Sequence, residues 1–368
     1  MYKRQPYNPF RLQNEYFVIH SFDELFESLE NLEAKLIEYL LLPEQDMVLR
    51  NYNLNDNLEK GFNNVIGFLN DIQFKFPQAI SFVAGQPDEQ YFDVEGNMAA
   101  FENYVQYVAA GTGQKRETVI NRIGQYNKTK GIVNDIVAEY LHKDENILIK
   151  GEHILMTVGA QEAFSIVVST ICNPGDVILT EDPSYIGLSG YCKIFNHTIA
   201  GVPVDEEGID LKELKNKLIE MNRLGKKVKL LYVIPDYQNP TGSCMPIGSR
   251  LKLLDLARQY NFLIIEDSVY NSFTYAQKRR PTLKSLDKYN RVIYIGSFSK
   301  SLFPGLRLGL IAADQLIENI KGETVSLIDE MVKVKAQQTK NTPTINQAIL
   351  GGVLLKYNYS LQEWSKPK

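Results

Sequence analysis

The run Arg291-Val-Ile-Tyr-Ile-Gly-Ser-Phe-Ser-Lys-Ser-Leu-Phe-Pro-Gly-Leu-Arg-Leu-Gly-Leu-Ile-Ala-Ala313 governs the reading of the whole chain. Two β-rich apolar stretches, 291–299 and 306–313, flank a loop. The loop carries two hydroxyls (Ser297 and Ser299), Lys300, a Pro-Gly turn and Arg307. An isolated lysine is ordinarily a solvated surface group. Lys300 differs because it follows an apolar strand and two hydroxyls. Arg307 opens the next apolar stretch, where a charge needs a partner. Ser297, Ser299 and Arg307 can converge on one dianionic phosphate, a task that suits the planar, multi-donor guanidinium. The loop thus puts a phosphate site beside an amine.

Upstream the same punctuation repeats. HILMT (153–157) is followed by the helical stretch GAQEAFSIVVSTIC, and DVILTED (176–182) by SYIGLSGYCKIF. HTIAGVPV (197–204) precedes a helix that Asp210 caps, with Glu213 completing a capping-box pattern and Leu211, Leu214, Leu218 and Met221 on one face. VKLLYVIP (228–235) leads into LKLLDLARQY, and FLIIEDS (262–268) leads to the opening run. Short apolar β-rich runs alternating with helices imply an α/β fold: a mostly parallel central sheet flanked by helices. In such sheets ligands sit beyond the carboxyl ends of the strands, where the polar motifs of this chain fall. Before residue 80 the chain is different. Leu25, Leu29, Leu32, Leu36 and Leu40 predict an amphipathic helix over 21–42, a packing face or a partner contact, and 43–80 is polar and Asn-rich.

Composition narrows the function. A formal charge of −4 gives no electrostatic case for nucleic acid. Cys172, Cys192 and Cys244 show no CxxC spacing, and the four histidines fall in no metal spacing, so neither a disulfide framework nor a zinc site is expected. The N-terminus has no apolar signal region and no run approaches the ~20 apolar residues of a membrane span, so the cytoplasm is the expected location.

A phosphate beside an amine that can form an imine describes pyridoxal phosphate. Residues 296–309 resemble the lysine loop of fold-type-I, class I/II aminotransferases, S-x-S-K-x-x-x-P-G-x-R-x-G. The resemblance runs from residue 80 to residue 350, and further motifs follow in the family's order. Gly159-Ala160-Gln161 looks like the Gly-x-Gln turn whose N–H groups meet the cofactor phosphate; a helix start offers unpaired donors in any case. Tyr185, in Glu-Asp-Pro-Ser-Tyr, matches the aromatic that stacks on the ring. Pro235-Asp-Tyr-Gln-Asn-Pro-Thr-Gly242 is similar to P-x-[FY]-Q-N-P-T-G, which implies that Asn239 bonds the ring oxygen. Asp267 ends an apolar strand and by resemblance keeps the ring nitrogen protonated, with Tyr270 on the ring oxygen; an isolated Asp there would otherwise read as a helix N-cap. Tyr126 resembles the tyrosine that reaches the neighbouring subunit's phosphate, although Asn127 replaces the usual glycine, Val133-Asn134 stands where Leu-Arg is typical, and 109–123 is an extra stretch. Gly85, in Ala-Gly-Gln-Pro-Asp, resembles the loop over the substrate carboxylate.

The resemblance implies an aminotransferase that rests as an imine on Lys300 and exchanges amino groups between an amino acid and a 2-oxo acid by ping-pong kinetics, in a homodimer. The alternatives are another fold-type-I chemistry (lyase, decarboxylase or synthase), or a shortened pyridoxal-phosphate-binding protein without full catalysis. The expected organisation is a helical arm over 1–80, a large cofactor-binding domain over 81–315 and the start of a small domain over 316–368. Family members usually continue past Trp364-Ser-Lys-Pro-Lys368, and no residue here matches their carboxylate-clamping arginine.

Overall fold

The computed structural model describes residues 87–273 and 279–365, preceded by 31–32, 34–35, 55–59, 67–68, 71–72, 75–76 and 78. The chain divides into two units, Met1–Leu54 and Asn55–Lys368. In the first, Asn31, Leu32, Ala34 and Lys35 are helical and exposed; the rest of the helix expected over 21–42 lies outside the described residues, as does Gly85.

The second unit is built on an eight-stranded sheet of order β1-β8-β7-β6-β5-β2-β3-β4. The strands are β1 (Ile154–Thr157), β2 (Val177–Asp182), β3 (Thr198–Asp205), β4 (Gly208–Ile209), β5 (Val228–Val233), β6 (Leu263–Asp267), β7 (Val292–Ser297) and β8 (Gly309–Ala312). The pairs β7–β6, β6–β5, β5–β2 and β2–β3 are parallel; β8 runs antiparallel to both β1 and β7. The expected mostly parallel α/β sheet is therefore the architecture. Because β8 reverses direction between β1 and β7, the carboxyl ends of β1 and β7 face the same edge. There Gly309 pairs with both Thr157 and Ser297.

The alternation of each strand sorts its side chains onto two faces. Ile178, Leu230, Ile265 and Ile293 lie against α1 (Gly159–Ile171), whose Phe164 and Val167 are buried. Leu179, Leu231, Ile264 and Val292 lie on the other face with α2 (Leu211–Arg223) and α3 (Ile247–Tyr260). Each such side chain, fully withdrawn from water, contributes about 1.5–3 kcal/mol, which holds the strand ends in register. Asp210 caps α2 as expected, accepting from the N–H groups of Lys212 and Glu213. The reciprocal half of the capping box does not form: the Asp210 N–H donates to Pro203 O, because β3 passes beside the helix start. The stretch expected as strand from 306 becomes strand only at Gly309; Pro304–Leu306 is a single 3-10 turn and Arg307 takes a left-handed φ of 49°.

Beyond β8, a hairpin of β9 (Leu316–Glu318) and β10 (Thr324–Ser326) leads into α4 (Leu327–Gln338) and α5 (Thr344–Lys356). Helix α4 presents Leu327, Ile328, Met331 and Lys335 to the interior. Among the described residues no helix is long and apolar enough to cross a membrane.

Candidate active site

The carboxyl ends of β2, β5, β6 and β7, and the start of α1, open onto one cavity of about 670 Å³. Ala160, Gln161, Tyr185 and Asn239 line one part of it. Asp267, Tyr270, Ser297, Ser299, Lys300 and Arg307 line the rest. Residues expected to act together from separate motifs are therefore brought together. Gly159 stands behind them as the first residue of α1, with φ of 75°. Tyr126 is not on this cavity: it is 74 % exposed, with the Lys340 ammonium 3.9 Å from its ring centre.

Asp267 is the last residue of β6 and is buried. It caps no helix. Tyr232, on neighbouring β5, donates its hydroxyl to Asp267 Oδ2 at 2.5 Å. Oδ1 is buried and has no partner among the described residues. Burial pushes this carboxyl up to about 6, against the pull of the Tyr232 hydroxyl and the Val269 N–H. A carboxylate oxygen left this way gains from a cationic N–H donor in the cavity.

Asn239 follows β5, on the cis Asn239-Pro240 bond, and its Nδ2 lies 3.4 Å from the Tyr270 hydroxyl. Amide and phenol thus point at the same place from two strands. Burial raises the Tyr185 and Tyr270 phenols above their ordinary range, so both stay protonated and able to donate.

The opposite end is built for an anion. No side chain caps the start of α1, so its first N–H groups face outward. Arg307 Nη1 donates to Ser299 Oγ at 3.3 Å, and the Ser299 N–H donates to Ser297 Oγ at 3.2 Å. A Cβ on Gly159 would stand 2.7 Å from Arg307 Nη2, so only glycine lets the guanidinium lie over the helix start. Lys300, half-buried between these groups, is held below the ordinary lysine range by burial and by Arg307.

Three supports escaped the sequence reading. Tyr232 sits in an apolar run of the sequence, although a tyrosine on a buried strand needs a partner for its hydroxyl. Glu162, one residue past the Gly-x-Gln turn, accepts from the Val158 N–H, from the Lys335 ammonium at 2.8 Å and from the Thr339 hydroxyl. Its signal was Lys335, a charge placed in the apolar stripe of α4. Arg250, fully buried in α3, pairs with Asp236 at 2.6 Å and also donates to Pro235 O and Met245 O, which fastens both ends of the Asn239 loop.

A site with an amine, a carboxyl oxygen short of a donor, a converging amide and phenol, and an anion seat matches the functional groups of pyridoxal phosphate one for one. The chain belongs to the class I and II aminotransferases, whose family profile matches residues 82–364. It is 36 % identical to the (S)-3,5-dihydroxyphenylglycine transaminase of Amycolatopsis orientalis over 297 residues, which cover 80 % of this chain and 66 % of that protein. An archaeal alanine:glyoxylate aminotransferase superimposes with a TM-score of 0.69 at 30 % identity, covering 83 % of this chain and 71 % of that one. The kynurenine aminotransferase of Pyrococcus horikoshii, solved in complex with PMP, superimposes with a TM-score of 0.66 at 26 % identity, covering 82 % and 71 %. The chain thus spans about two thirds of the curated relative's length.

Proposed function

We propose that this chain moves an amino group between an amino acid and a 2-oxo acid, with Lys300 as its catalytic amine. The observation that carries the reading is the meeting of Lys300, the unpartnered Asp267 Oδ1, the Asn239–Tyr270 pair and the Ser299–Arg307 anion seat on one cavity. Pyridoxal phosphate, when bound, supplies an aldehyde that condenses with amines and a ring that takes up electron density. The start of α1, Ser297, Ser299 and Arg307 would hold its phosphate. Asn239 and Tyr270 would donate to the ring oxygen, Tyr185 would pack on the ring, and Asp267 would hold the ring nitrogen protonated. Lys300 Nζ would act as the general base that takes the proton from the substrate α-carbon and, as its conjugate acid, would give that proton back. Its depressed proton affinity favours the neutral amine that this transfer needs. The same groups working in reverse order on a 2-oxo acid give ping-pong kinetics.

Dihydroxyphenylglycine and kynurenine, named for the relatives, make aromatic amino acids the first donors to try. The reading extends to a homodimer in which the exposed Tyr126 would serve the neighbour's phosphate, and by resemblance to the family it gives the Gly85 motif the task of meeting the substrate carboxylate. It takes 81–315 as the cofactor domain, 316–368 as part of a small domain and, from three unpaired cysteines, the cytoplasm as the location.

The test is chemical. The full chain mixed with pyridoxal phosphate should turn yellow, and borohydride should fix the cofactor on the peptide holding Lys300. Equal labelling of Lys300→Ala would reject the assignment. In a separate, unreduced sample, aromatic amino acids should bleach the yellow band with release of the matching oxo acid; binding without release would leave a cofactor-binding protein without turnover.

A further inference from the structure

Strands β2 and β5 are parallel neighbours, in register from Ile178–Leu230 to Thr180–Tyr232. Just past that register each strand delivers one wall of the cavity: Tyr185 after β2 and Asn239 after β5. The sheet's own hydrogen bonds stop before either residue, so something else must hold the two loops together.

Glu181 and Gln238 lie at that point, 1 % and 2 % exposed. Glu181 Oε2 accepts from the Ile234 N–H at 3.1 Å and from Gln238 Nε2 at 3.2 Å. Gln238 Nε2 donates again to Pro183 O at 2.8 Å. Its Oε1 accepts from both the N–H and the hydroxyl of Thr241 at 2.8 Å. Its main chain donates to Ser243 O and accepts from the Gly242 N–H. One glutamine side chain therefore closes the 238–243 turn around Asn239 and fastens it to the 181–183 segment before Tyr185.

We propose that Glu181 and Gln238 are positioning residues, a clamp that sets Asn239 and Tyr185 at the spacing the cofactor ring requires; the proposal rests on the cofactor reading given above. Glu181 is suited to the work as a neutral acid. Its Oε1 is buried with no partner among the described residues, which would be costly for a carboxylate and is tolerable for a protonated carboxyl. Burial, with Asp267 nearby, pushes the group up to about 8, although the Ile234 and Gln238 N–H donors pull the other way. A charged Glu181 would set a second anion next to Asp267. A neutral one accepts two hydrogen bonds and leaves the negative charge to the carboxyl that meets the ring. A carboxamide has the same shape and the same acceptor, so glutamine should do the work of the protonated acid.

The experiment titrates the cofactor-free full chain with pyridoxal phosphate, following affinity by equilibrium dialysis and the ring's surroundings by visible circular dichroism. Glu181→Leu and Gln238→Leu should each weaken binding about tenfold or more, the worth of one or two buried hydrogen bonds. Each should lose most of the visible dichroism even at saturation, while far-ultraviolet dichroism stays parental. Glu181→Gln should bind within about threefold of the parent and keep the dichroic band, as the shared acceptor requires. A leucine variant that folds and matches the parent in both readouts overturns the clamp. So does a Glu181→Gln protein as impaired as Glu181→Leu. Should neither leucine variant fold, Thr241→Val, at an exposed position, removes one of the two donors to Gln238 Oε1. It should lower the dichroism without shifting the unfolding midpoint, and parental dichroism there overturns the clamp. A parent that acquires no visible band at all rejects the cofactor reading itself, a different result from parent and variants binding alike.

Discussion

The guanidinium of Arg307 occupies the space that a side chain on Gly159 would need, with Nη2 2.7 Å from the position of the missing Cβ. Gly159 also sits at φ of 75°, which an L-residue adopts only with strain of about 1–2 kcal/mol. Gly159→Ala therefore strains the helix start and moves the arginine off the anion seat. Pyridoxal phosphate affinity should fall about tenfold or more, with 1.4 kcal/mol sufficing for each tenfold step. Parental affinity by equilibrium dialysis would show that Arg307 does not hold the phosphate.

In the proposed site Asp267 would serve two donors, the Tyr232 hydroxyl on Oδ2 and the ring nitrogen on Oδ1. Asp267→Ala should retain some cofactor and lose about a hundredfold or more in kcat, the scale of losing a preorganised charge partner. Tyr232→Phe should lose less, about tenfold, because it removes one neutral donor and keeps the charge. Single-turnover kinetics separate the two, and unchanged rates in Asp267→Ala would reject the electronic role.

The Glu162–Lys335 pair fastens the start of α1 to α4 with side chains 9 % and 0 % exposed. Removing one partner strands the other as a buried charge, which typically costs about 3–5 kcal/mol. Lys335→Met alone should lower unfolding stability by that order. The double variant Lys335→Met, Glu162→Gln should regain much of it, since no unpaired charge is left. Urea unfolding of the single and double variants measures the difference.

Four buried carboxyls give the cofactor-free protein a characteristic pH response. Burial pushes Glu181 up to about 8, Glu145 and Glu266 to about 7 and Asp267 to about 6. Each binds its proton more tightly folded than unfolded, so the folded state holds the extra protons from the ordinary carboxylate range up to those values. Stability is then highest on the acid side of the window and falls as pH rises from about 5 to about 8. His197, held below its ordinary range by burial, acts in the opposite sense below about 6.5. Urea midpoints across this range should decline, and Glu181→Gln should flatten the decline above pH 7. A midpoint that climbs steadily to pH 8 would contradict these assignments.

The strands and the cradle were legible because each rests on local chemistry. An apolar run followed by Gly, Pro, Asn or Asp reads as a strand end wherever it occurs. Lys300, Asn239, Asp267 and Arg307 each stand in such a setting. The partners that hold them were less visible, for a reason that local reading cannot reach. Glu162 meets Lys335, and Glu181 meets Gln238, only after the sheet has ordered its strands. Glu213 misled for the same reason: its capping box is locally sound, and β3 supplied the Asp210 N–H with a different acceptor. Arg307 reads as part of a strand because its neighbours are apolar, whereas its left-handed backbone closes the 304–306 turn before β8 begins at Gly309.

The reversed strand β8 also orders events in time. Thr157 pairs with Gly309, so the edge that carries the anion seat joins segments about 150 residues apart in the sequence. Pairings so distant in sequence form late, after the cost of closing the intervening loop has been met. A ribosome-bound chain that has not yet delivered Arg307 and Gly309 lacks the strand that borders Thr157. Vitamin B6 capture should therefore begin only when those residues have left the exit tunnel, and chains stalled earlier should be colourless.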